Sequence, residues 1–343
     1  MRESDPPSPN GAEAEALALA ARAGIHRLAV PTPFLVGRVN CYLIEDRPLT
    51  LVDTGPNSGK SLDELERALA EHGHTIEELE LIVITHQHMD HVGLLEILAR
   101  RSGAEVAALH LLGPYLEHFS MNATADDEFS QGVMRRHGIP EDLVSVLGSV
   151  GAAFRAFGSS GHVTQPLHDG GTLSLRDREL RIFHRPGHSP SDTIFWDEER
   201  RILLAGDHLL AHISSNPLVS RPLTGEATDE RPHALLDYLE SMRATRELPA
   251  ELILSGHGEP MLDHVTVIDE RFRMHQRRAR KMLRMLDAGP LSGYEIALRM
   301  WGNIAVTQAY LTLSEVLGHM DLLVREDRVQ EQVLSGVVRF AAA

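Results

Sequence analysis

A run of four apolar residues, Leu81-Ile82-Val83-Ile84, passes directly into Thr85-His86-Gln87-His88-Met89-Asp90-His91. A short branched run of this kind reads as a strand buried on both faces. The four ionisable side chains behind it must then sit at the strand's carboxyl end. Burying such groups is costly unless something compensates them. In extended backbone alternate residues share a face, so His86 and His88 point the same way. Asp90 and His91 fall where the chain turns into the next helix and approach the same spot from another angle. Imidazole suits zinc, iron and related ions, and a carboxylate adds charge to balance a divalent cation. The run predicts a metal site at the edge of a sheet.

The rest of the chain supplies that sheet. Residues 26–31, 34–45 and 49–55 are short, rich in Val, Leu and Ile, and bounded by Pro and Gly, which predicts strands. Residues 58–73 repeat Leu62, Leu65 and Leu69 at helical spacing, with Ser61 and Glu64 placed as a capping box and Gly73 as the stop. A strand over 80–85, a helix over 92–103 and a strand over 104–110 follow. This β-α-β alternation predicts helices packed outside sheets. Residues 113–160 change character and read as a helical insertion over the domain. Strands return over 163–175, 179–187, 193–207 and 250–260. Beyond Asp263 comes one long Arg-rich amphipathic helix over 264–286. The order helix, helix, strand, strand then follows, which is that of a small winged-helix module. The expected organisation is a tail and short helix over 1–24, with residues 1 to about 11 disordered, a catalytic domain over 25–262, and a linker helix with the small module over 263–343.

Composition narrows the partners. The formal net charge of −16 over 343 residues argues against nucleic acid, and nearly all basic residues are arginine, Lys60 and Lys281 being the two lysines. The lone Cys41 cannot form an internal disulfide, which predicts a reducing, cytoplasmic setting, and the residue itself reads as a small buried hydrophobe. Residues 1–11 lack the apolar core of a leader, and no apolar run approaches the length of a membrane span.

Three later stretches point to the same chemistry: His188 after Pro186-Gly187, Asp207 after Ala205-Gly206, and His257 after Ser255-Gly256. Each follows a strand, and each glycine lets the backbone turn tightly and present the next side chain beyond the sheet edge. With His86-x-His88-x-Asp90-His91, and in this chain order, they make the sequence resemble the metallo-β-lactamase superfamily over about residues 25–262. The resemblance implies an αββα sandwich with a dinuclear site along one edge. It implies that His86, His88 and His188 hold one metal, that Asp90, His91 and His257 hold the second, and that Asp207 bridges them. Asp53, in Leu51-Val52-Asp53-Thr54-Gly55, matches a position that braces the ligand loop without touching metal. The C-terminal region resembles the branch of β-lactamase-like protein 2 and glyoxalase II-like proteins that carries a winged-helix module.

The chemistry expected from that resemblance is metal-assisted hydrolysis. Two divalent ions, zinc first and iron or manganese next, roughly 3.5–4 Å apart would lower the pKa of a shared water toward about 7. Asp90 and Asp207 are the catalytic carboxylates, Asp90 also placed to orient the nucleophile or carry its proton. No Ser-His-Asp or Gly-x-Ser-x-Gly pattern supplies a side-chain nucleophile. A small acyl substrate (thioester, ester or lactone) leads. The rivals are a phosphodiesterase or endoribonuclease, a mononuclear iron persulfide dioxygenase, and a regulator with a vestigial hydrolase domain. The helix around 312–320 carries Glu315 and no Arg or Lys, unlike a groove-reading helix, so the module is expected to pack on the catalytic domain or to mediate a homodimer. Quorum-signal lactonases resemble this chain less, because His208 stands where they have Tyr. His208 and His184 are expected to face away from the site. His212, in the loop after Asp207, is a candidate to reach the site, and Tyr115, His118, Phe119 and Met121 are candidates for a pocket wall or for ordinary packing.

Overall fold

The computed structural model describes residues 11–224 and 231–343; of the tail expected over 1 to about 11, all but Gly11 lies outside the described residues. In chain order the elements are α1 (Gly11–Arg22), β1 (Ile25–Val30), β2 (Val39–Ile44), β3 (Thr50–Val52), α2 (Gly59–Glu71), β4 (Leu81–Ile84), α3 (Met89–Val92), α4 (Leu95–Ser102) and β5 (Glu105–Leu109). Residues 113–160 are helical, as α5 (Gly113–Glu117), α6 (Phe119–Arg136) and α7 (Glu141–Phe154). There follow β6 (Gln165–Leu167), β7 (Thr172–Ser174), β8 (Glu179–His184), β9 (Thr193–Asp197), β10 (Ile202–Gly206), α8 (Ala234–Arg246), β11 (Leu252–Ser255) and α9 (His264–Met285). The chain ends in β12 (Leu291–Ser292), α10 (Gly293–Trp301), α11 (Ile304–Thr307), α12 (Ala309–Arg325), β13 (Val329–Leu334) and β14 (Val337–Ala342).

The strands form a six-stranded sheet ordered β1 to β6 and a five-stranded sheet ordered β11-β10-β9-β8-β7. Strand alternation sorts the apolar residues into layers. Leu43, Leu51, Ile82 and Ile84 face outward and meet Leu65 and Leu69 of α2 and Leu95 and Leu98 of α4. Their neighbours Tyr42, Ile44, Val52, Leu81 and Val83 face inward against Leu180, Ile182, Phe195, Leu204 and Leu254 of the second sheet. The outer face of that sheet, with Ile194, Trp196, Leu203 and Ile253, is covered by Leu235 and Tyr238 of α8 and by Ile268 and Met282 of α9. The result is the expected αββα sandwich. Cys41 is buried in the first of these layers.

The C-terminal elements join the outer layer through Leu313, Val316, Leu317 and Met320 of α12. A Cβ on Gly318 would stand 2.5 Å from that of Leu235, so glycine is what lets α12 lie close to α8. The third sheet, ordered β12-β14-β13, pairs a short strand before α10 with the final hairpin, an order compatible with a winged-helix module. Among the described residues no helix is long and apolar enough to cross a membrane.

Several boundaries differ from the sequence reading. Residues 34–38 form a loop, not the start of a strand. Pro33 interrupts pairing, and Gly37 takes a φ of 96° while its carbonyl accepts from Thr32 Oγ1. The helix expected over 92–103 breaks at Gly93, where a Cβ would come 2.2 Å from Asn57 N. The segment 163–175 divides between the sheets at Gly170, whose φ is 75°. The segment 193–207 is a hairpin of β9 and β10, turning at Arg201. Helix α2 is capped by Ser58, which accepts from Ser61 N at 3.1 Å; Ser61 lies inside the helix and donates to Pro31 O. No capping box forms with Glu64 there, because the helix starts one turn earlier than the Leu spacing suggests.

Candidate metal centre

Both sheets end at the same edge. Strand β4 runs parallel between β3 and β5, buried throughout, and delivers Thr85 and His86 at its carboxyl end. The single turn α3 then carries Asp90 and His91 back over that end. From the second sheet come His188 between β8 and β9, Asp207 after β10, and His257 after β11. Two bonds to Ser255 O, from Tyr42 Oη at 2.7 Å and Asn40 Nδ2 at 2.9 Å, lock the two sheets together beside His257. Glycine is obligatory at Gly256, where a Cβ would lie 2.2 Å from Asp207 Oδ1.

All seven residues expected to hold metal converge here. Their donor atoms fall into overlapping groups: His86, His88 and His188; His86, His91 and Asp207; Asp90, His91 and His257. Asp207 Oδ1 lies 3.5 Å from His91 Nε2, and its Oδ2 lies 3.6 Å from His188 Nε2 and 3.4 Å from His257 Nε2. Asp90 Oδ2 lies 3.3 Å from His257 Nε2. The carboxylate of Asp207 thus reaches toward both halves.

The proton on each ring is fixed by what its outer nitrogen meets. His91 Nδ1 donates to Asp53 Oδ2 at 2.7 Å, His257 Nδ1 to Arg38 O at 2.8 Å, and His188 Nδ1 to Asn216 O at 3.1 Å. Thr85 Oγ1 donates to Asp53, which leaves its lone pair for His86 Nδ1 at 3.0 Å. Four inward Nε2 atoms are therefore unprotonated when the rings are neutral. His88 differs: its Nδ1 faces the Nε2 atoms of His86 and His188, each at 3.0 Å. One proton can satisfy only one of those contacts, so bare lone pairs face each other. His91 Nε2 and Asp207 Oδ1 are fully buried with no hydrogen-bond partner. Bare nitrogens and an orphaned carboxylate oxygen in one buried spot are what a divalent cation satisfies, so the donor set fits the metals that the sequence implies.

Electrostatics agree with two unlike halves. Burial, reinforced by neighbouring imidazoles, holds His86 well below the usual histidine range and His88 down to about 3. For His257 burial also lowers the value, but Asp207 and Asp90 outweigh it and push it up to about 10. Burial likewise opposes the charge on His91, and Asp53, Asp207 and Asp90 raise it well above normal. Asp207 is held well below the carboxylate range despite burial, because His257 and His91 flank it. His88 and His188 are the two partly exposed members, so the site opens on their side.

A family model for the metallo-beta-lactamase superfamily matches residues 35–257. The chain belongs to that superfamily. The probable metallo-hydrolase YqjP of Bacillus subtilis (strain 168) is 31% identical over 303 residues, 88% of this chain and 92% of that protein. A beta-lactamase-like protein 2 homolog of Caenorhabditis elegans is 26% identical over 264 residues, 75% of this chain and 68% of that one. The crystal structure of a metallo-beta-lactamase family protein from Thermus thermophilus superposes with a TM-score of 0.75 at 28% identity, covering 93% of this chain and 99% of that one. Over 41 residues, 12% of this chain and 15% of that protein, the human acyl-coenzyme A thioesterase MBLAC2 is 44% identical. As a superfamily member with a metallo-hydrolase relative along most of its length, the chain is a hydrolase.

Other candidate histidines sort as the strand phase predicts. His208 points away from Asp207, bonds Thr245 Oγ1 at 2.9 Å and packs on Tyr238. His184 bonds Pro190 O. His212 is exposed, pairs with Glu259 at 3.3 Å and does not join the converging donor groups. Tyr115 and Phe119 belong to the core layer under the first sheet, Tyr115 bonding Asp126, while His118 and Met121 are exposed. The packing alternative holds for the two aromatics. The sequence reading missed the groups that brace the site: Thr85, the carbonyls of Arg38 and Asn216, and Asp192, which ties Ser189 beside His188. Backbone carbonyls carry no side-chain signal. A fourth group, His275, Glu315 and His319, lies apart between α9 and α12, and Arg278 already pairs with its carboxylate.

Proposed function

We propose that this hydrolase acts on an acyl substrate (a thioester, ester or lactone) with two divalent cations, zinc first. His86, His88 and His188 would hold one, Asp90, His91 and His257 the other, with Asp207 between them. The observation that carries the reading is the convergence of these side chains on one buried spot, with His91 Nε2 and Asp207 Oδ1 left without partners. Bound there, the cations supply Lewis acidity and a water acidic enough to attack near neutral pH.

The chain's own residues do the rest. Asp53, Arg38 O and Asn216 O hold three rings so that their unprotonated nitrogens face inward. Asp90 Oδ2, beside His257 Nε2, is the carboxylate positioned to accept a proton from the attacking water. The partly exposed His88 and His188 mark the face by which substrate enters. Support for an acyl over a phosphate substrate comes from the net charge of −16 and from the thioesterase among the relatives. A phosphodiester reading has one observation in its favour: Arg273, Arg277, Arg280 and Arg284 are exposed at helical spacing along α9.

The test is to load the protein with zinc, iron or manganese and assay thioesters, lactones, p-nitrophenyl esters and bis-p-nitrophenyl phosphate, with metal content measured in parallel. Asp207→Ala and His86→Ala are each expected to lose most turnover and bound metal. Unchanged metal content and turnover in both variants would refute the ligand assignment. Preferential phosphodiester cleavage would select the rival substrate class. Activity with iron alone, in a redox assay with persulfide, would select the dioxygenase.

A further inference from the structure

A second feature lies against segments that adjoin the metal centre and is not used by it. A recess of about 530 Å³ is lined by Val146, Ser149, Val150, Ala153, Phe154 and Phe157, at the end of α7 and the turn behind it. That volume is within the range of small-molecule pockets. None of its lining groups is charged, so what it receives is uncharged and apolar. Phe34 extends the surface, its ring centroid 5.4 Å from that of Phe154 and 6.2 Å from that of Phe157. Leu35 beside it is 90% exposed, Val146 60% and Val150 46%. Large apolar side chains left together in water mark a binding surface more often than scattered ones do.

Two walls of this surface connect to ligand loops. Phe157 O accepts from Asn57 N at 2.8 Å, and a Cβ on Gly93, two residues past His91, would come 2.3 Å from that same oxygen. On the other wall, the loop carrying Phe34 and Leu35 ends at Arg38, whose carbonyl holds His257 Nδ1. The recess is thus framed by the segments that follow His91 and brace His257.

We propose that this recess takes the acyl chain of the substrate, so that the enzyme prefers medium and long chains over acetyl. The proposal rests on the acyl-hydrolase reading and names its substrate class. An acyl chain lying along Val146, Val150 and Phe154 would leave its carbonyl toward the edge where the ligand loops meet. Because one side of the recess stays open, each methylene is expected to raise kcat/KM about twofold, half the free energy of complete burial.

The test uses the full metal-loaded chain with p-nitrophenyl acetate, butyrate, hexanoate, octanoate and decanoate. Wild type should rise along the series. Val150→Asp and Ala153→Asp, both at exposed helix positions, should flatten the rise, with the losses falling on octanoate and decanoate. Calorimetry with decanoate and acetate gives a readout that does not need turnover, and decanoate should bind wild type at least tenfold more tightly than Val150→Asp. A flat wild-type series, or a slope retained in both variants, overturns the proposal. Loss of a concentration-dependent dimer in Val150→Asp, with no chain-length effect, would give the recess to a second copy and also overturns it. Selective decanoate binding without cleavage of any ester would keep the recess as an acyl-chain site and overturn the acyl-hydrolase reading instead.

Discussion

Replacing Asp53 by asparagine isolates the role of one proton. The Asp53 carboxylate accepts from Thr85 N at 2.9 Å, from Thr85 Oγ1 at 2.8 Å and from His91 Nδ1 at 2.7 Å. Asparagine keeps the shape and tolerates the left-handed backbone found here, φ 59°, which alanine would adopt at a cost of about 1 kcal/mol. Its amide has one accepting oxygen. If that oxygen serves Thr85, the NH2 group meets the N–H of His91. Two donors then oppose each other in a buried place, an unmet group worth about 1–3 kcal/mol. The ring's simplest relief is to move its proton to Nε2, the atom that faces Asp207 Oδ1 at 3.5 Å. That removes the lone pair from the cation site. Disturbing such outer partners of metal-bound histidines weakens metal binding about 10–100-fold, equivalent to about 1.4–2.7 kcal/mol. Competition with a chromophoric chelator would measure the loss, and the site proposed on Asp90, His91 and His257 should be the one weakened. Asp53→Asn with both affinities and turnover within twofold of wild type would refute the argument that Asp53 sets the ring's proton.

Three further predictions follow from the geometry. Gly256→Ala places a Cβ 2.2 Å from Asp207 Oδ1 and 2.9 Å from His91 Cε1, so turnover should fall by about 10²-fold while the circular dichroism spectrum is retained; wild-type kinetics would show that the edge yields. Asn216→Ala removes the bond from Asn216 Nδ2 to Leu311 O at 3.0 Å, which steadies the carbonyl that holds His188, and should weaken the His188 half of a two-step metal titration about 10-fold. A loss confined to thermal stability would make that link purely structural. His137, stacked on Phe340, is pushed down to about 3 by burial, with Arg231 and Arg136 adding to it. Its unfolded value is about 6.5, so the native state refuses a proton that the unfolded chain takes up, and stability is lost as pH falls from about 6.5 toward 3. His137→Phe should gain on wild type by about 2 kcal/mol between pH 7 and pH 5 in denaturant titrations. A difference that does not change with pH would refute the assignment.

How much of this was legible in advance depends on locality. His86, His88, Asp90 and His91 occupy one turn of chain directly behind an apolar run, so spacing alone placed them at a strand's end. His188, Asp207 and His257 were each marked only by a preceding glycine, and their chain order tied them to the first four. The division of 163–175 between two sheets was hidden, because a strand's sequence records burial and not which sheet it joins. The loop at 34–38 was misread for a related reason. Phe34, Leu35 and Val36 have strand-like composition, yet Leu35 stands in water. Composition cannot separate a residue buried in a core from one held out at a site's rim.

The bracing of the site explains why it sits at the seam between the sheets. An imidazole that binds a cation through one nitrogen needs an acceptor at the other, and here those acceptors come from distant parts of the chain: Asp53 after β3, Arg38 before β2, Asn216 beyond Asp207. A ring from one sheet can therefore be fixed by backbone from the other, as His257 of the second sheet is fixed by Arg38 of the first. Asn216 extends the same logic to the C-terminal elements, since its side chain bonds the start of α12 while its carbonyl holds His188. A displacement of α12 would consequently be felt at the partly exposed half of the centre before the buried half, whose supports, Asp53 and the carbonyl of Arg38, flank strands of the first sheet. The C-terminal elements thus reach the candidate metal centre through one asparagine, even though none of their side chains is among the seven residues that converge there.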